Sequence, residues 1–195
     1  MGSLFDVATH FAFYGAYHSA PINVLIHIIF VWPIFYTALL LFYFTPPFFH
    51  VSLPLLGPPL VFNFGFAFAA VYALFYVALD RRAGSLAALL CALCWVVSCF
   101  HGSHLGVSLG WKVAVSVHVL CWIAQFIGHG VFEGRAPALL DNLVQALVMA
   151  PFFVLLEVLH KFFNYEPYPG FHESVEAKIH AEQKQWQASK QKKSS

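Results

Sequence analysis

Residues 7–79 run for 73 positions without one Asp, Glu, Lys or Arg, and residues 83–111 repeat the pattern after Asp80-Arg81-Arg82. A soluble chain cannot carry such runs, because an average domain is about a quarter charged and relies on those groups to face water. A bilayer accepts them, since a crossing helix needs about 20 consecutive apolar residues. Only 10% of the 195 residues are charged and the net charge is +1. That balance leaves no basic footprint, so nucleic acid is excluded as a partner. The sequence predicts an all-α integral membrane protein.

Four segments are apolar enough to cross: 22–44, 60–79, 85–100 and 112–127. They predict a bundle of about four transmembrane helices. The linker 45–59, with five prolines and one glycine, reads as a tight apolar turn. Residues 102–110 join the third span to the fourth. The segment 139–160 is long enough to cross but holds Asp141, Asn142, Gln145, Pro151 and Glu157, which are costly against lipid. It is expected to fold back or to lie at the interface, as is an N-terminal helix before residue 22.

Basic residues collect on the cytosolic side. With Arg81-Arg82 and the lysine-rich end both there, the N- and C-termini are cytosolic. Residues 1–165 are expected to form one membrane-embedded helical domain and 166–195 a polar cytosolic tail. Lys192-Lys193, four and three places from the end, resemble the dilysine retrieval signal that a cytosolic coat reads on endoplasmic-reticulum membrane proteins. Cys91, Cys94, Cys99 and Cys121 sit in apolar segments and read as small buried hydrophobes.

Histidine is the anomaly: eleven copies, against nine acids and ten bases. Pro21 suits the first turn of a helix that Ser19 caps. Asn23 and His27 then stand four apart on one face, with Tyr14, Tyr17 and His18 just before that helix. In the fourth span His118, Trp122, Gln125 and His129 recur at four, three and four residues, a single stripe. Gly128 and Gly130 bracket His129 and permit close approach of a backbone or ligand. Glu133 follows one turn later, then Arg135.

A single intramembrane histidine is ordinarily a core residue with its hydrogen bonds made, which is where His10, His50 and His160 belong. His101 and His104 flank the turn expected on the lumenal side. The remaining histidines gather at similar depth with amides and a carboxylate, groups costly in hydrocarbon unless paired. Imidazole with carboxylate is the ligand set of non-haem iron, shared in part by zinc and copper. No two histidines are four apart and none are adjacent, so the histidine boxes of membrane desaturases are absent. A b-haem pair from His27 and His118, or His104 and His118, has no accompanying haem signature.

Phe13-Tyr14, Tyr17-His18, Pro21 and Asn23-Val24-Leu25-Ile26-His27 resemble the first signature of the endoplasmic-reticulum 2-hydroxy fatty acid dioxygenase family. Trp122-Ile123, residues 125–133, Arg135 and Pro137 onward resemble the second, continued by Asp141-Asn142, Gln145, Pro151 and Glu157. The resemblance implies an Fe(2+)-dependent membrane enzyme of sphingoid-base and fatty acid α-oxidation. Such an enzyme takes a long-chain 2-hydroxy fatty acid and O2, and releases CO2 and the acid one carbon shorter. It implies His18, His27 and His129 as metal ligands, with Glu133 or Glu157 as a further ligand or orienting group. Substrate contacts then fall to Arg135, Asn23, Gln125, Tyr14 and Tyr17, while His118 lies outside both signatures. A different class remains for the same cluster: a non-enzymatic channel, carrier or lipid-binding scaffold, although the internal repeats usual in transporters are missing.

Overall fold

Asp6 starts helix α1 (Val7–Ala16): its carboxylate accepts from the Thr9 N–H at 3.1 Å and from the Thr9 hydroxyl at 2.7 Å. The computed structural model describes residues 4–52, 57–137, 139, 142–143 and 145–194, apart from the side chains of 189–190 and 192–194. Asp141 and the side chains of Lys192 and Lys193 therefore lie outside the described residues. Helix α2 (Pro21–Tyr43) begins at Pro21, whose missing N–H costs nothing in a first turn. The linker after it is not merely a turn. Strands β1 (Phe49–Val51) and β2 (Leu60–Phe62) pair antiparallel, with Phe49 opposite Phe62 and their rings stacked at 4.5 Å.

This hairpin departs from the all-α expectation and takes the first residues assigned to the second span. Helix α3 (Phe64–Leu79) starts only after Asn63, whose side chain accepts from the Gly65 N–H at 2.9 Å. The β-rich composition of 60–62, anchored by the Trp95 indole donating to the Val61 carbonyl at 3.2 Å, wins over helix there. Asp80 then caps helix α4 (Arg81–Ile127) through the Ala83 N–H.

Helix α4 is two limbs. Tyr36 and Thr37 are neighbours on α2, yet they hydrogen-bond His101 at 2.6 Å and His118 at 2.8 Å. A straight helix would hold those histidines about 25 Å apart. The chain therefore doubles back between them, at Gly106, whose φ of 64° and ψ of 172° suit glycine. The join expected over 102–110 is one residue.

Beyond Ile127 the helix widens into a π-helical turn, Gly128–Glu133, closed by Gly134 at φ 64°. A second π-helical turn (Gln145–Met149) leads into α5 (Ala150–Phe163). The Tyr72 and Tyr76 hydroxyls donate to the carbonyls of Leu147 and Val148 at 3.2 and 2.7 Å, so α3 secures backbone groups of that turn. Residues 151–156 are all buried, Phe152 and Phe153 almost completely. Helix α6 (Phe171–Ser194) docks across α1: Phe171 and Val175 are buried in the common core, and Lys178 donates to the Thr9 hydroxyl at 3.0 Å. The start of the polar tail is thus packed against the body it follows.

Among the described residues, three stretches are long and apolar enough to cross a membrane: Pro21–Tyr43, Arg81–Glu133 and Gln145–Phe163. Helix α3 is shorter, at 16 residues. The outside of the bundle agrees with that reading. Val71, Leu74, Leu89, Leu120, Phe162 and Phe163 are each between 62% and 73% exposed. So many large apolar side chains facing outward fit a lipid boundary, not water. The four cysteines are free, three of them buried.

Candidate metal centre

Three elements bring three imidazoles together. His18 follows α1, His27 lies in the second turn of α2, and His129 is the second residue of the π-helical turn. Their ring centroids are 4.2 Å (His18–His27), 4.9 Å (His18–His129) and 4.9 Å (His27–His129) apart. One nitrogen from each can be chosen so that all lie within 4.8 Å of one another. His129 stands at the start of a π-helical turn, a geometry that recurs at functional sites.

The hydrogen bonds fix which nitrogens are available. His18 Nδ1 lies 2.6 Å from the Tyr14 carbonyl and His27 Nδ1 lies 2.9 Å from the Asn23 carbonyl, each four residues back. A carbonyl only accepts, so both Nδ1 atoms carry the proton and both Nε2 atoms present a lone pair. His18 Nε2 and His129 Nδ1 are buried without a partner among the described residues. Orphaned nitrogens at that depth are expensive, unless a cation completes them. The donor set fits a metal: neutral imidazoles, each second nitrogen of His18 and His27 oriented by backbone.

His18 lies outside the apolar spans, and burial, followed by the neighbouring His27 and His129, holds it well below the ordinary imidazole value of 6.5. A depressed imidazole stays neutral in the fold, so the unfolded chain takes up protons first. Its contribution to stability is complete above about pH 6.5 and is lost as pH falls. Metal affinity should fall in the same direction, since protons and metal compete for one lone pair. Titrating the purified protein from pH 8 to pH 5 should therefore lower its unfolding temperature and release metal together. A flat profile over that range would contradict the assignment.

The Glu133 carboxylate is engaged by donors at the start of α2. It accepts from the Ser19 N–H at 3.0 and 3.1 Å, the Ala20 N–H at 3.0 Å, the Asn23 amide at 3.0 Å and the Ser19 hydroxyl. Ser19, the cap expected from sequence, does not bond the first turn of α2. A carboxylate from 113 residues away caps that helix instead. Asn23 is completely buried and its amide also donates to the Tyr17 carbonyl at 3.2 Å. Gly128 leaves the space that the Asn23 carboxamide occupies, whereas Gly130 faces nothing close.

Arg135 lies 3.4 Å over the Tyr17 ring and 5.3 Å from the Trp186 ring, and donates to the Ala16 carbonyl at 2.9 Å. It thus joins the end of α1 to α6. Glu157 pairs with Lys161 at 2.9 Å. Neither carboxylate belongs to the metal-ready group found among the described residues. His118 is also accounted for. The Trp122 indole donates to its Nε2 at 3.0 Å, leaving Nδ1 to donate to Thr37, so both nitrogens are engaged and neither suits a haem.

A cavity of about 310 Å³ opens from the triad, lined by all three histidines and mostly by apolar side chains. Tyr14, Gln125, His118 and Trp122 reach it, so the fourth-span stripe read from sequence lines one wall. Asn23, Tyr17 and Arg135 do not line it. The Tyr14 hydroxyl and the Gln125 amide nitrogen, both buried, lack partners among the described residues. Gln145, read from sequence as a costly amide and as part of the second signature but given no role in the site, also lines the cavity and bonds His10, which sequence assigned to the plain core.

Comparison with known proteins shows the family. The family described as 2-hydroxy-palmitic acid dioxygenase Mpo1-like matches residues 4–162. The chain is 36% identical over 158 residues to 2-hydroxy-palmitic acid dioxygenase MPO1 of Saccharomyces cerevisiae, covering 81% of this chain and 82% of that protein. No solved structure matches. A match over that length, with the two histidine signatures inside it, shows that the chain belongs to the Mpo1-like 2-hydroxy-palmitic acid dioxygenase family and is an enzyme.

Proposed function

We propose that the protein is an Fe(II)-dependent dioxygenase of long-chain 2-hydroxy fatty acids. One observation carries it: three clustered imidazoles, His27 and His129 buried and His18 half-buried, two of them with unpartnered nitrogens, at the polar end of an otherwise apolar cavity. In the proposed reaction R–CHOH–COOH and O2 give R–COOH, CO2 and H2O. The C1–C2 bond breaks, C2 is oxidised and O2 is reduced to the level of water. His18, His27 and His129 would hold the iron. When bound, iron supplies vacant coordination positions and the one-electron chemistry that O2 activation requires.

The chain's own residues do the rest. Tyr14 and Gln125 each present a buried donor to the cavity beside the triad. Two unpartnered donors suit an acceptor-only carboxylate, which therefore makes these groups the anchors of the acid head. Glu133 acts as a positioning residue by fixing the loop that carries His18. Arg135, committed to Tyr17, Trp186 and Ala16, supports that loop from the other side. The apolar wall excludes water from the reacting end and holds the acyl chain, each buried methylene contributing about 0.8 kcal/mol.

The setting follows from the same features. We assign four crossings, with α4 contributing its two limbs, both termini in the cytosol, and residence in the endoplasmic reticulum through the dilysine end and its coat. Residues 1–165 then form the catalytic body and 166–195 the cytosolic tail.

The test is an assay of purified protein with 2-hydroxypalmitate, under air and under argon, with metal measured by elemental analysis. Iron near one per chain and O2-dependent release of labelled C1 as CO2 is the expected result. Binding of the acid with no consumption of O2 would favour a lipid-binding scaffold instead.

A further inference from the structure

The cavity runs as a furrow along one face of α2. His27, Val31, Ile34, Phe35, Ala38 and Phe42 line it at intervals of four, three, one, three and four residues, the spacing of one helical stripe. From His27 to Phe42 the helix axis advances about 22 Å. The end at His27 is polar and holds the triad; the end at Phe42 is aromatic. There Phe42 lies 5.3 Å from Phe68, which in turn lies 4.4 Å from Tyr72 and 5.6 Å from Phe35. This wall is braced from behind, where the Asn63 amide donates to the Phe42 carbonyl at 2.7 Å. An extended carbon chain advances about 1.2 Å per bond, as extended backbone does, so the furrow has room for roughly eighteen bonds.

We propose that the Phe42–Phe68 wall is the stop of an acyl-chain ruler, and that Ala38 keeps the last turn before it open. The proposal rests on the reading of this cavity as the acyl site. Ala38 is one helical turn nearer the triad than Phe42, about 6 Å along the axis. It carries the smallest side chain on the stripe, flanked by Phe35 and Phe42. A large side chain at 38 would close the furrow one turn early, while removal of the Phe42 ring would open it beyond the present end.

Saturated 2-hydroxy acids from 12 to 24 carbons would be assayed with purified wild type, Ala38→Phe and Phe42→Ala. Binding of the matching plain fatty acids would be followed by native mass spectrometry, a readout independent of turnover. Wild type should fall off beyond roughly eighteen carbons, with Ala38→Phe moving the limit down by about five carbons and Phe42→Ala moving it up by a similar step. Bound metal should stay unchanged in both. Ala38→Leu and Phe68→Ala are smaller steps in the two directions, for use where a larger change prevents folding. Length profiles that do not move in opposite directions overturn the ruler and leave the dioxygenase reading standing. Absence of turnover by wild type at every length overturns that reading, and the fatty-acid binding profile then still decides the ruler.

Discussion

Changing His27 or His129 to Ala is expected to strip the metal and to lower turnover at least about a hundredfold, since even outer partners of metal ligands are worth about 10- to 100-fold. The expectation comes from the count of available lone pairs. His18 and His27 have their Nδ1 protons committed to the carbonyls of Tyr14 and Asn23, so each offers Nε2 alone. His129 Nδ1 is buried and unpartnered among the described residues. Among the described residues, the group within 4.8 Å holds three imidazoles and no spare ligand to replace the one removed. His118→Ala is the informative contrast, because the Trp122 and Thr37 bonds occupy both nitrogens of His118. That variant should keep its full complement of metal. Elemental analysis of the three variants, purified in parallel, reads the difference directly. Retention of metal by both His27→Ala and His129→Ala would place the centre elsewhere in the chain.

Much of this arrangement is legible in the sequence. The i,i+4 spacing of Asn23 and His27 fixes a shared face, and the stripe His118, Trp122, Gln125, His129 becomes one wall of the cavity. What periodicity could not show was which stripe members have free lone pairs, because that depends on cross-helix partners such as Thr37. The fold-back at Gly106 was legible as a polar, glycine-containing interruption, though not as a single residue. The β1–β2 hairpin was hidden because the five prolines mark the linker as loop, while each strand is only three residues long. The partners of Glu133 were invisible for a simpler reason: they lie more than a hundred positions away, and no local rule connects them.

That long-range contact gives the second large effect. Glu133→Ala is expected to cost about 2–4 kcal/mol of stability, from the loss of an N-terminal cap and of several charge-assisted hydrogen bonds, some of them partly solvated. The loss has a chemical signature beyond destabilisation. The carboxylate holds Ser19 and Ala20, the two residues between His18 and α2, and so sets where His18 stands relative to His27. Without it the Asn23 amide keeps only the Tyr17 carbonyl at 3.2 Å. All three histidines remain, so the variant should still bind iron, with an affinity lowered about 10- to 100-fold as for other groups that orient ligands. Glu133→Gln keeps one accepting oxygen but turns an N–H toward the donors of the α2 N-terminus, and should fall between wild type and Ala. Iron titration of the three proteins distinguishes the two roles available to this carboxylate. A direct ligand would leave a site that excess iron cannot restore, whereas a positioning residue leaves one that fills at higher iron and then turns over.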